Sequence, residues 1–147
     1  MLESLELTLC DMQGKLFELS AKENFDSEKF IKVFMNSETA SDIDKPFNHM
    51  QWAGESYILS RLDEENTPVK GGCIYDDETL YWSGYIYRYW HYYTGESSKD
   101  IYKQAPAKLM RSMYLMYHTM SPEMAIDRLK ESFLEKKASA RSGIFRF

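Results

Sequence analysis

The chain has 147 residues, 44% of them hydrophobic and 28% charged, with a formal net charge of −5, the balance of a single globular domain. Its first residues, MLESLELTL, carry acidic rather than basic groups before the leucines, and no apolar run approaches the roughly twenty residues that span a bilayer. These features argue against a signal peptide and a membrane span, so the expected location is cytoplasmic.

Charge is unevenly spread. Residues 1 to 96 hold eight Lys and Arg against eighteen Asp and Glu, whereas residues 97 to 147 hold ten against five. A basic end of this kind can meet an acidic protein or nucleic acid, although most such charges solvate helix faces. Cys10 and Cys73 form neither a CxxC pair nor a disulfide framework and are expected as buried free thiols.

In chain order, Leu5, Leu9, Met12, Leu16 and Leu19 recur at three and four and predict an amphipathic helix over 2–19, weakened but not ended by Gly14. Asp26 is placed to cap a second helix, with Phe25 packing on Phe30 as a hydrophobic staple. Ser37 starts a short third turn through Ala40, and Pro46 interrupts it. Met50, Trp52, Ala53, Tyr57, Ile58 and Leu62 predict a fourth helix over 47–62, in which Gly54 allows another helix to approach. Residues 63–75, with Pro68 and Gly71-Gly72, read as a loop, and Val69 with Cys73-Ile74-Tyr75 suggests a small hairpin.

The next stretch, 76–95, is the most aromatic in the chain. Eight of the thirteen residues from Tyr81 to Tyr93 are Tyr or Trp. Asp76, Asp77 and Glu78 suit a helix N-terminus, and Gly95 suits an exit through positive φ. Alternation of Tyr85, Tyr87 and Tyr89 with Ile86, Arg88 and Trp90 allows a strand, but the run is too long for one. The expectation is a central helix that buries Leu80, Trp82, Tyr85, Ile86, Tyr89 and Trp90. Beyond it, Ser97 or Ser98 caps a helix through Gln104, Pro106 opens another through 119, and Ser121-Pro122 starts the last, ending near Lys137. The expected architecture is all-α: a single multi-helix bundle of six to eight helices over 1–137, with a loose tail over 138–147.

No phosphate-binding glycine loop, GxSxG elbow, HExxH or metal-type Cys/His spacing occurs, and His49, His91 and His118 are far apart. No enzymatic activity, cofactor or metal is therefore expected. The enzyme alternative is a hydrolase or transferase assembled from His91, Glu96, Ser98 and His118. The polar neighbourhood at the end of the aromatic helix is the expected partner surface: Arg88, His91, Thr94, Gly95, Ser97, Lys99 and Lys103. There Arg88 could stack on rings or enter a buried ion pair, and Lys99 and Lys103 share a face.

The combination LYWSGYIYRYWHYYTGESSKDIYKQAPAKLM followed by YHTMSPEMAIDRLKE resembles an uncharacterised family of small bacterial proteins, mainly from Firmicutes, associated with toxin–antitoxin-type gene neighbourhoods. The resemblance covers roughly residues 10 to 135 and assigns no functional residues. It implies a cytoplasmic, antitoxin-like accessory protein beside an ADP-ribosyltransferase-like toxin. With the surplus of Tyr, Trp and Met, it makes a protein-binding module the expected function, with a protein partner, in which a toxin is one possibility, and neither nucleic acid nor membrane. The alternative is a small DNA-binding regulator, with 98–104 and 106–119 as the nearest thing to a helix-turn-helix. Pro106 and the apolar residues around Met110 argue against a groove-reading face.

Overall fold

A computed structural model describes residues 2–46 and 53–143, with side chains through Ala140. Among these residues there are eight helices and no strand. They are α1 (Ser4–Lys22), α2 (Ser27–Met35), α3 (Glu38–Asp44), α4 (Glu55–Glu65), α5 (Asp77–Thr94), α6 (Ser98–Gln104), α7 (Ala107–Tyr117) and α8 (Pro122–Gly143). The aromatic helix α5 is central and touches α1, α6, α7 and α8, with α1 its most extensive neighbour.

The α1–α5 crossing depends on two glycines. A Cβ at Gly84 would lie 2.5 Å from the Gln13 carbonyl oxygen and 2.9 Å from the Phe17 ring, and one at Gly14 would lie 2.7 Å from the Tyr81 ring. Each helix thus presents a bare backbone to the other. The contact is closed by Gln13, wholly buried, whose side-chain amide donates to the Gly84 carbonyl at 3.0 Å. Gly14, expected only to weaken its helix, is needed for this packing.

Around that crossing the core is ring-rich. Phe17 meets Phe30 and Phe34 edge-on, both at 5.6 Å, and the Tyr87 hydroxyl donates to the Ala105 carbonyl at 2.6 Å, so a fully buried phenol has its partner. Leu80, Trp82, Ile86, Tyr89 and Trp90 are buried as expected, while Tyr85 is half-buried.

The caps follow the sequence closely. Asp26 accepts from the Lys29 amide at 2.9 Å and Phe25 stacks on Phe30. Ser37, Ser97 and Ser121 accept from the amides of Ala40, Asp100 and Met124. Gly95 leaves α5 at φ 80°, where a side chain would be strained.

Several expectations are corrected. The third helix runs past Ala40 to Asp44. Residues 47–52 of the expected fourth helix lie outside the described residues, and α4 begins at Glu55. Gly54 is its N-cap with nothing within 4 Å of a Cβ, so no helix approaches there. The segment 69–75 does not pair with itself. It runs along 25–27 instead, with the Asp26 amide donating to Val69 O, the Ser27 amide to Cys73 O and the Tyr75 amide to Ser27 Oγ, and it makes one isolated bridge, Phe25 with Lys70. Cys73 is exposed on that loop, whereas Cys10 is buried, and burial pushes its thiol up to about 12. Helix α8 continues past Lys137 to Gly143. Among the described residues no helix is long and apolar enough to cross a membrane.

Gly84→Ala must move backbone on one side and a core ring on the other, so a loss of about 3 kcal/mol is expected in a urea titration. Gly54→Ala, with open space around it, should stay within about 1 kcal/mol, the cost of a poorer cap.

Candidate functional site

Of the polar surface expected at the C-terminal end of α5, Arg88 is internal, His91 and Ser97 are half-buried, and Thr94, Gly95, Lys99 and Lys103 are exposed. Arg88 is wholly buried. Its Nε donates to Gln13 Oε1 at 2.8 Å and its Nη1 to Asp44 Oδ1 at 2.6 Å. Asp44 also accepts from the Ser98 amide and hydroxyl, both at 2.8 Å. The chain of bonds from Gly84 through Gln13, Arg88 and Asp44 to Ser98 therefore ties α5, α1, the end of α3 and the start of α6. Arg88 cannot contact a partner. Both expected roles are present: the guanidinium pairs with Asp44 and lies over the Tyr92 ring, 6.0 Å from its centroid, since a planar guanidinium matches carboxylate and amide acceptors while stacking on an aromatic face.

The other expected residues divide. His91 is half-buried, its Nδ1 donating to the Glu96 carbonyl at 2.7 Å and lying 3.8 Å from Asp44. The Thr94 hydroxyl donates back to the Trp90 carbonyl, and Ser97 serves as a cap. Lys99 and Lys103 are exposed on α6, with Lys103 3.7 Å from Asp100. Ser97 and Lys99 edge a hollow of about 280 Å³ with Ser37, Glu38 and Asp44. Gly95 shapes the turn.

Nor do His91, Glu96, Ser98 and His118 surround one pocket. Ser98 is buried with its hydroxyl committed to Asp44, and His91 Nδ1 is committed to Glu96 O, so among the described residues no histidine nitrogen bonds the serine hydroxyl. His118 stands on the far side of the molecule's polar network, stacked on Tyr114 at the end of α7. His49 lies outside the described residues. Among the described residues no group of three or more His, Cys, Asp or Glu could hold a metal ion.

A larger concavity lies at the other end of α5. It has a volume of about 660 Å³ and is lined by α1, α5, α7 and the turn into α8. Its walls are aromatic: Trp82 meets Tyr114 at 5.9 Å and 74°, Tyr81 lies beside Tyr85 at 6.0 Å, and His118 stacks on Tyr114 at 4.4 Å. The Tyr81 hydroxyl donates to Asp11, which fixes that ring against the Gly14 backbone. Glu18, Asp77 and Glu78 bring three carboxylates to the same groove. Among the described residues none of the three makes an ion pair within 4 Å. Partial burial, followed by the neighbouring charge of Asp77, pushes the Glu18 carboxyl above its ordinary value.

This groove was missed from sequence because Asp77 and Glu78 were explained as a helix start and the rings as core. The available signal is the spacing on α5: Asp77, Tyr81 and Tyr85 follow one another at i,i+4 and so share a face. Tyr114 and His118 repeat that spacing on α7. A second groove of about 470 Å³, between α6, α7 and α8, has the opposite character, with Lys103, Lys108 and Lys136 around Leu109 and Phe133.

Glu96 locks the other end of α5 to α6 and α8. It accepts from Trp90 Nε1 at 2.9 Å and from Gln104, and pairs with Lys130 at 2.5 Å. Burial pushes its carboxyl up, but the bonds from Lys130, Trp90 and Gln104 outweigh this and hold it at about 2, against an ordinary 4.5. A depressed pKa gives stability that is present above pH 4.5 and lost as pH falls towards 2. Glu96→Gln should therefore lower stability at neutral pH by about 1 to 3 kcal/mol, allowing for partial solvent screening, and flatten the acid limb of a stability–pH curve over that window. The chain matches no family model, no curated protein and no solved structure, so a functional reading rests on the chemistry of these surfaces.

Proposed function

We propose that the chain is a protein-binding module. The observation that carries this reading is the corner where α7 turns into α8. Leu115 and Met116 stand 79% and 61% exposed at the end of α7, and Met124 stands 49% exposed in the first turn of α8. Three large apolar side chains exposed within ten residues, Leu115 the most exposed of the large hydrophobics among the described residues, favour an interface that is covered in use. Methionine suits such a surface because its unbranched thioether adapts to a partner's shape. The aromatic groove adjoins the same corner, with Tyr114, His118 and Met120 in its wall.

The narrower reading, an antitoxin-like protein whose partner is a toxin, comes from the resemblance, and the exposed apolar corner is compatible with it. Of the surface expected at 88–103, Thr94, Gly95, Lys99 and Lys103 are exposed and remain available to a partner, whereas Arg88 is not.

The test is affinity capture after cross-linking in the native cell, with wild type and with Leu115→Glu/Met116→Glu. One dominant protein should be recovered with wild type and about tenfold less with the variant, a loss of ~1.4 kcal/mol. Thermal unfolding of the variant should stay within about 0.5 kcal/mol of wild type, as expected for exposed sites. Equal recovery of the partner would move the interface elsewhere. Nucleic acid recovered alone, released steeply as salt rises, would favour the regulator instead.

A further inference from the structure

We infer that the groove between α1, α5 and α7 is a docking site for a basic segment of the partner protein, taking an arginine or lysine side chain between aromatic walls and a carboxylate rim. This rests on the protein-binding reading and names the chemistry that such a partner must present.

The walls and the rim point to the same ligand charge. The faces of Trp, Tyr and Phe are negative, and a guanidinium or ammonium held over them is attracted, most strongly by Trp. Trp82 and Tyr114 stand nearly perpendicular, so they form a corner with two walls rather than a flat platform. Tyr81 and Tyr85 extend the wall along α5. At the rim Glu18, Asp77 and Glu78 are negative and, among the described residues, have no cation within ion-pairing distance. Burial, and after it the charges of Asp77 and Asp11, raise the Glu18 carboxyl by more than Lys22 and Lys15 on the same helix lower it, so a cation arriving at this rim is favoured. Several carboxylates elsewhere are already used: Asp11 by Tyr81 and Lys15, Asp44 by Arg88, Glu96 by Lys130, Glu123 by Tyr89.

A segment of protein fits better than a small organic cation. A volume of about 660 Å³ exceeds one side chain, and the groove opens to solvent rather than closing over its contents. A small cation would stay half hydrated there. A chain segment would cover it, placing apolar neighbours on Met120, Pro122 and Ile86 while its cation meets the rings. Arginine suits the corner best, because its flat guanidinium can stack on one ring and hydrogen-bond a carboxylate at once.

The experiment is selection of a displayed random-peptide library on the immobilised full chain. Enriched peptides are then re-measured by calorimetry against wild type and against Glu18→Gln/Asp77→Asn/Glu78→Gln. Circular dichroism should show this variant folded, since the three side chains are exposed or half-exposed. The expected result is enrichment of peptides carrying Arg or Lys beside apolar residues, at least about tenfold weaker binding to the variant, and an affinity that falls with salt for wild type much more than for the variant. A Tyr114→Leu variant, which removes one wall and leaves the rim charges, should weaken the same peptides. Enriched peptides that are neutral or acidic, or that bind the charge-neutral variant as well as wild type, would overturn the groove assignment while leaving a protein-binding module. Failure to enrich any peptide, together with unchanged capture by Leu115→Glu/Met116→Glu, would remove both. Sedimentation showing a wild-type dimer that the charge-neutral variant abolishes would also overturn it, by making a second copy the occupant.

Discussion

Everything in this fold hangs on the bare-backbone crossing of α1 and α5. Two glycines let the helices approach until Gln13 can reach the Gly84 carbonyl, and the other end of the same amide accepts from Arg88. An arginine with no exposed surface is costly unless its charge is matched, and Asp44 matches it at 2.6 Å. Asp44 in turn takes both the amide and the hydroxyl of Ser98. Four helices are thus held in register by one connected polar chain inside an aromatic core. A pair of this kind adds little net stability compared with apolar packing, but it rejects alternative registers, because any slip leaves a buried charge alone.

The polar chain also explains why α5 has two different ends. Towards Gly95 several of its polar groups are consumed internally: Arg88 by Gln13 and Asp44, Trp90 by Glu96, His91 by a carbonyl. Towards Asp77 they are not. Asp77 and Glu78 satisfy the positive end of the helix dipole and pair with no cation among the described residues, and Tyr81 and Tyr85 remain half-buried beside them. The charge asymmetry of the sequence reappears as two grooves of opposite sign, one walled by rings and carboxylates, the other by Lys103, Lys108 and Lys136.

Helix existence and helix starts were readable because they rest on local chemistry. Asp26, Ser37, Ser97 and Ser121 each cap the helix that their sequence context announces, and Gly95 ends α5 through a positive φ. What could not be read depends on which residues meet across the chain. Gly54 and Gly14 look alike in sequence, yet only Gly14 faces another helix. Val69 to Tyr75 has the composition of a hairpin, but the side chains of Asp26 and Ser27 offer its amides better partners than its own backbone does. Arg88 looks like a rim residue until the distant Asp44 and Gln13 are placed beside it. The groove needed the same long-range knowledge: the aromatic excess shows that rings must be buried somewhere, and only the position of α7 leaves Tyr81, Tyr85 and Tyr114 with a shared open face.

The groove's two walls are anchored differently, and that bears on how it would recognise anything. On one side is α5, buried along most of its length, with Tyr81 fixed by Asp11 and seated on the Gly14 backbone. A wall so held presents its rings at little further entropic cost on binding, which is the condition for selecting a cation by geometry as well as by charge. On the other side is α7, whose buried residues, Ala107 and Met110, lie in its first turn, while Leu115 and Met116 at its end face outward. Its latter half packs on the core through Met113, Tyr114 and Tyr117, with Tyr114 against Trp82. A partner that covers Leu115 and Met116 therefore acts on the same helix end that positions Tyr114. Apolar contact at the corner and cation contact in the groove would be coupled through that one helix, so the two surfaces are better read as parts of a single interface than as separate sites.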